Sequence, residues 1–362
     1  MVHIPMVKPI IGDEEKSAII EVMNSGMIAQ GKKTEELEEK FAKLCGTKYA
    51  VAVNSGTSAL HTAVHSAGIR PGDEVITTPF TFVATANSIL MAGAVPVFAD
   101  IDEETFNISP EEVKKKITKK TRAIMPVDLY GHPYDYRAVR EISEKYNLRI
   151  IEDAAQAVNA ELNGKKAGAL GDIGTFSFYA TKNIMCGEGG MLVTDNEKFA
   201  EESRIFRNHG QTGKYQYGEL GFNYRIMDLQ AAILLEQLKR VDWITERRME
   251  NAKLLTKGLD GVKGIYTPVI RNSAKHVFHQ YTVKVDGFRL SRDELMAHLK
   301  NKGIDCTVYY PEPLFAYSHL KRYKNGNFPV AEKVCTQVLS LPVHPSLKRE
   351  DLNYIIKTIS DI

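Results

Sequence analysis

The chain has 362 residues, 43% hydrophobic and 25% charged, the composition of a folded globular protein. A formal net charge of +2 excludes the concentrated basic excess of an electrostatic nucleic-acid binder. The length exceeds what one core usually serves, so a large domain over 1–245 and a smaller α+β domain over 246–362 are expected. The N-terminal segment is a candidate to pack with the smaller one.

The opening MVHIPMVKPIIGDEEKS carries no apolar signal-peptide core, and no apolar run approaches the ~18 residues of a spanning helix. Cys45, Cys186, Cys306 and Cys335 lie far apart and form no CxxC pair, which reads as reduced thiols. A cytoplasmic protein with neither membrane nor nucleic-acid partner is therefore expected. His61 and His65 are four apart but lack a third ligand, so no metal site is expected. The basic run KKKITKK at 114–120 reads as a solvated helix face and its last turn.

From residue 48 to about 195, strand-like runs alternate with helical ones. KYAVAV (48–53) leads into TSALHTAVHSAG, EVITTP (74–79) into FVATANSILMAG, and PVFADI (96–101) into SPEEVKKKIT. TRAIMPV (121–127) leads into YRAVREISEKYN, and LRIIED (148–153) follows. This alternation predicts an α/β fold, a mostly parallel sheet with helices on both faces. Residues 228–258 read as one or two long helices leading out of it. Beyond them, VFHQYTVKV (277–285) and VLSLPV (338–343) read as strands, with helices over 291–303 and 349–359.

Parallel sheets bind ligands where strands end and helices begin. Three such places carry suggestive residues. NSGTSAL (54–60) offers Gly56, Thr57 and Ser58 at a helix start, either a phosphate grip or a plain cap. EDAAQA (152–157) sets Asp153 at the end of an apolar strand, where a carboxylate caps a helix or faces a cation. SFYATKNIMCGEGGML (177–192) holds Lys182 between two apolar runs, ahead of a glycine-rich turn. A phosphate grip, an acid and an amine at one sheet edge are together what pyridoxal 5'-phosphate requires. A lysine binds its aldehyde, a carboxylate keeps its ring nitrogen protonated, and backbone donors hold its phosphate.

With SGTSAL, PFTFVATAN (79–87), EDAAQA, SFYATKNIMCGEGG, RNHGQTGKY (207–215) and GFNYRIMDLQAA (221–232) in this order, the chain resembles the sugar aminotransferases of the DegT/DnrJ/EryC1 family. That resemblance implies fold type I of the pyridoxal-phosphate enzymes. It also implies amino transfer from L-glutamate to a nucleotide-linked keto sugar, by a homodimer with shared active sites. By position, Lys182 matches the Schiff-base lysine and Asp153 the partner of the ring nitrogen. Phe82 matches the stacking aromatic, and Gln156 a residue near the phenolic oxygen. Thr57, Ser58 and Ser177 match phosphate contacts, and Asn223 one that reaches across from the second subunit.

Taken without the family, Phe82 reads equally as a core residue, Gln156 as a surface one and Asn223 as a turn asparagine. Arg225 is a candidate for the donor's carboxylate or for a structural ion pair. Tyr309 and Tyr310 are candidate sugar contacts or packing residues. Within the resemblance, family members with Gln at the position of Gln156 often act on 3-keto sugars, which implies a UDP- or dTDP-linked 3-keto sugar, with a 4-keto-6-deoxy sugar as the alternative. After EDAAQA this chain has Val158-Asn159-Ala160, where many family members carry His-Gly-Ala. The family's dehydratase branch replaces the lysine with histidine, so Lys182 argues against it. A binding or regulatory protein that kept the fold is a further alternative. A nicotinamide enzyme is disfavoured because no G-x-G-x-x-G follows an early strand.

Overall fold

The computed structural model describes residues 2–362. Helices α1 (Asp13–Ser25) and α2 (Lys32–Cys45) precede the first strand, and strands then alternate with helices. The first half of that run is β1 (Tyr49–Val53), α3 (Gly56–Ser66), β2 (Glu74–Thr77), α4 (Ala84–Met91), β3 (Val95–Phe98) and α5 (Pro110–Lys116). It continues with β4 (Thr121–Met125), α6 (Tyr136–Tyr146), β5 (Arg149–Asp153), β6 (Ile173–Ser177), β7 (Gly190–Thr194) and α7 (Glu197–Arg207).

The seven strands form one sheet in the order β1-β7-β6-β5-β4-β2-β3. β2, β3, β4, β5 and β6 pair in parallel. β7 runs antiparallel between β1 and β6, so β1 points the same way as the rest. Every strand is apolar on both faces. Along β1, Ala50 and Ala52 pack with Phe41 and Ile244, while Val51 and Val53 pack on the other side with Leu60 and Val64. Ile150 and Ile151 of β5 likewise face opposite layers. A sheet buried on both faces needs helices on both, and this one has them.

α8 (Asp228–Leu238) and α9 (Val241–Leu259) lead onward, with α9 unbroken through residues 245–246. Ile244 near its start packs in the large core, and Ala252, Leu255 and Leu259 pack in a second core. That second core sits on a three-stranded antiparallel sheet of Ile265–Tyr266, β8 (Tyr281–Val285) and β9 (Val338–Leu341). α10 (Arg292–Asn301) and α12 (Arg349–Ser360) cover it through Leu295, Leu299, Leu352 and Ile355. α11 (Pro329–Gln337) packs through Ala331 and Val334 beside Phe98. Ile4 joins the second core, and its N–H donates to Gly303 O at 2.8 Å.

One element is shorter than its pattern implies. VFHQYTVKV is strand only from Tyr281. Val277 N–H donates to Gly131 O (3.0 Å) and Gln280 N–H to Tyr130 O (3.3 Å), so 277–280 binds the loop after β4 instead of a sheet neighbour. Phe278 turns through a left-handed φ of 46°, which bends the segment toward the large sheet's edge.

Candidate active site

The carboxyl ends of β1, β2, β4, β5 and β6 all reach one edge of the large sheet, where a cavity of about 770 Å³ opens. Its wall takes Thr57 from the start of α3, Phe82 from the turn after β2, Asp153 from the end of β5 and Ser177 from the end of β6. Lys182 comes from the β6–β7 connection. That connection folds back on itself through Phe178 N–H to Gly189 O (2.9 Å) and Ala180 N–H to Gly187 O (3.0 Å), which sets Lys182 at its bend. Phe178 anchors the base, fully buried and edge-on to Phe41 at 5.4 Å. Burying a side chain of that size stabilises by roughly 1.5–3 kcal/mol.

The start of α3 makes an anion cradle. Ser55 caps the helix by accepting from Ser58 N–H at 3.1 Å. The N–H groups of Gly56 and Thr57 have no acceptor among the described residues. A Cβ on Gly56 would stand 2.7 Å from Ser177 Cβ, so only glycine lets the helix start lie this close to β6. Free N–H groups at a helix N-terminus favour a negatively charged ligand.

Across the cavity stand the acid and the amine. Asp153 is 4% exposed. Its Oδ2 accepts from Thr85 Oγ1 at 2.8 Å and its Oδ1 from Ala155 N–H at 3.2 Å. Burial raises its pKa above the ordinary carboxylate value, while those two donors and the charge of Lys182 pull the other way. Burial lowers the Lys182 amine to about 8, opposed by Asp153. Lys182 Nζ makes no hydrogen bond or ion pair with any described residue. A desolvated, unpartnered amine is a nucleophile and a proton acceptor near neutral pH.

Phe82 is 56% exposed on the cavity wall, which rules out a core role for it. Gln156 is buried rather than superficial: its Oε1 accepts from Tyr130 N–H at 2.7 Å and its Nε2 donates to Tyr310 Oη at 3.2 Å. Tyr310 and Tyr309 both line the cavity. Asn159 adopts the left-handed φ of 69° that a glycine would supply, and its amide is tied to Asp242 and Thr245. The exchange of glycine for asparagine therefore leaves that turn closed.

Three residues expected at the site are not on its wall. Ser58 spends its hydroxyl on Asn54 Oδ1 at 2.6 Å, one turn into α3, and Ser55 lines the cavity in its place. Asn223 is exposed and bridges Asn208. Arg225 donates to Asn208 Oδ1 at 2.6 Å and pairs with no carboxylate among the described residues. Conversely, Thr85, His279, Tyr317 and His319 line the cavity without having been singled out. Thr85 was within reach of sequence reasoning, one turn beyond Phe82 on the same helix start. His279 was hidden inside an apparent strand.

A profile of the DegT/DnrJ/EryC1/StrS aminotransferase family matches residues 9–360. The chain is 44% identical over 350 residues to a Geobacillus stearothermophilus protein named pleiotropic regulatory protein, covering 94% of this chain and 92% of that one. It is 40% identical over 352 residues to the dTDP-3-amino-3,4,6-trideoxy-alpha-D-glucose transaminase of Streptomyces venezuelae, covering 96% and 92%. The crystal structure of S. venezuelae DesV in complex with a ketimine intermediate superposes with a TM-score of 0.93 at 39% identity, over 96% of this chain and 94% of that one. The fold is thus that of the type I pyridoxal-phosphate-dependent transferases. With matches of this extent and a sheet edge that gathers an acid, an amine and an anion cradle, the protein is a member of the DegT/DnrJ/EryC1/StrS aminotransferase family.

Proposed function

We propose that the protein transfers an amino group from L-glutamate to a keto carbon of a nucleotide-linked sugar, with pyridoxal 5'-phosphate as cofactor. The observation that carries this reading is the unpartnered Lys182 amine facing buried Asp153 across one cavity. The residues present fit the cofactor. The N–H groups of Gly56 and Thr57 and the Ser177 hydroxyl suit its phosphate, Phe82 its ring face, Asp153 its ring nitrogen and Gln156 its phenolic oxygen. When bound, pyridoxal phosphate supplies an aldehyde that condenses with amines and a pyridinium ring that withdraws electrons.

The chain's own groups do the rest. With the cofactor bound, Lys182 Nζ would be the group that holds its aldehyde. As a free amine, Lys182 would accept the proton from the donor's α-carbon and hold it for return. Its depressed pKa leaves much of it unprotonated at pH 8, which that role requires. Asp153, held by Thr85 and Ala155, would pair with the cofactor's ring nitrogen and favour its protonated form. The same steps run backward on the keto sugar, so the kinetics are ping-pong.

Identity to the S. venezuelae dTDP-3-amino-sugar transaminase, together with Gln156, favours a UDP- or dTDP-linked 3-keto sugar, feeding glycan or polysaccharide biosynthesis. A homodimer completes the site, with the partner subunit's Asn223 reaching the phosphate. Exposed Met23, Met27, Tyr215 and Leu220 supply apolar surface for such an interface. The test is incubation with L-glutamate and a panel of nucleotide-linked 3-keto and 4-keto sugars, measuring 2-oxoglutarate and locating the aminated carbon. Amination at C3 is expected. Amination at C4 would move the reading to 4-keto-6-deoxy sugars. No 2-oxoglutarate with any partner would favour a regulatory protein and sink the catalytic reading.

A further inference from the structure

Arg248, on α9, is 5% exposed and has no acidic partner among the described residues. Its Nη1 donates to the carbonyl oxygens of Phe278 (2.9 Å) and His279 (3.3 Å). Its Nε is sealed from solvent without an acceptor, while Nη2 is not sealed and makes no hydrogen bond with any described residue. Nε–H and the adjacent Nη2–H form the edge of a guanidinium that grips anions side-on. One nitrogen is thus spent on neutral carbonyls, and on the two-donor edge the buried Nε has nothing to hold.

The surroundings deepen the imbalance. Burial lowers Arg248 only to about 10, so it stays charged at neutral pH. His279 and His344 are kept neutral by burial, with the charge of Arg248 adding to the effect on both. His344 Nδ1 is itself buried without a partner. A buried permanent cation without a counter-charge is a cost that proteins ordinarily remove by pairing.

Arg248 also lines a narrow cleft, distinct from the large cavity, whose other walls include Lys8, Lys182, Asn183, Gln237 and the strap Val7–Ile10. The cleft has cationic and neutral walls and no carboxylate. Its free space is about 10 Å³, room for one small species and too little for a sulfate or phosphate. Water would fit, but it cannot neutralise the charge.

We propose that this cleft binds one small monovalent anion of halide size, held by the Nε/Nη2 edge of Arg248 beneath the strap and behind Lys182. Of the residues named on either wall, Lys182 lines both the cleft and the large cavity. A bound anion places negative charge behind the amine and favours its protonated form. It also links the strap, fastened by Gln237 Nε2 to Ile10 O at 2.8 Å, to the lysine connection. The site stands independently of the proposed function; only its effect on Lys182 rests on that reading.

The test uses the intact protein at constant ionic strength, exchanging sodium gluconate for sodium bromide. A halide-specific rise in Tm of about 1–3 °C is expected for the parent protein and none for Arg248→Met. Crystals grown with bromide should give an anomalous peak within hydrogen-bond reach of Arg248 Nε. Water alone at that position, or an equal bromide response in Arg248→Met, overturns the proposal. Should the variant fail to fold, the anomalous map of the parent decides between these outcomes.

Discussion

At the residue scale, the chemistry turns on how two charges are kept in one poorly solvated cavity. Lys182 is not neutralised by an ion pair; burial alone brings its amine down to about 8 from 10.5. The linkage follows directly. Below pH 8 the amine is charged in both folded and unfolded chains, so its desolvation cost is carried in full. Between 8 and 10.5 only the unfolded chain keeps the proton, and the apoprotein gains stability as pH rises. Reductive methylation with labelled formaldehyde and NMR should give Lys182 in the apoprotein a midpoint near 8. Its free-base fraction at pH 8 would then be about 100-fold above that of an ordinary lysine. A midpoint above 10 would remove the basis for its proposed role as proton acceptor. Asp153 depends on a neighbour 68 residues away in the chain. Thr85 Oγ1 stabilises the ionised carboxylate, so Thr85→Val should raise the Asp153 pKa further. The acid limb of the kcat profile should move up in pH, with a loss of roughly tenfold. An unshifted profile would show that Thr85 is only packing.

At the scale of elements, most of the scaffold was legible because the strands of a two-sided sheet are short apolar runs that stop abruptly. β1 to β5 begin and end within a few residues of their patterns, and Asp153 and Lys182 stood out because polar groups follow such runs. The reversal of β7 was not legible, since nothing local distinguishes a strand that returns antiparallel from one that crosses over. Nor was the departure of Val277–Gln280 from β8, which depends on the carbonyls of Tyr130 and Gly131, far earlier in the chain, accepting its N–H groups. The junction of α3 and β6 shows how such long-range fits become requirements on single residues. Gly56→Ala would drive a Cβ to 2.7 Å from Ser177 Cβ, with the Ser177 backbone only 3.3 Å away. Neither element can yield without moving the cradle. Overpacking of this kind costs about 1–3 kcal/mol. The variant should therefore melt lower and bind inorganic phosphate or pyridoxal phosphate at least tenfold more weakly. Unchanged affinity for both would show that the helix start is no anion site.

At the scale of the whole molecule, the decisive issue is whether one chain contains a complete site. Asn223 and Arg225 lie off the cavity wall, on a segment linked to Asn208, and the neighbouring hairpin exposes Tyr215 and Tyr217. If two copies pair so that each lends Asn223 to the other's cavity, separate defects in the two copies must complement. Lys182→Ala removes the amine, and Asn223→Asp sets a carboxylate against the phosphate. Each variant alone should lose about a hundredfold or more in amino transfer. In a hybrid dimer, one site carries both defects and the other carries neither. Random pairing of equal amounts gives hybrids in half of the dimers, so activity should return to about a quarter of the parent level. A site built within one chain predicts no recovery, because every copy then carries a defect in its own cavity. Unfolding and refolding the two variants together, then assaying 2-oxoglutarate release, separates these outcomes. Refolding each variant alone supplies the background.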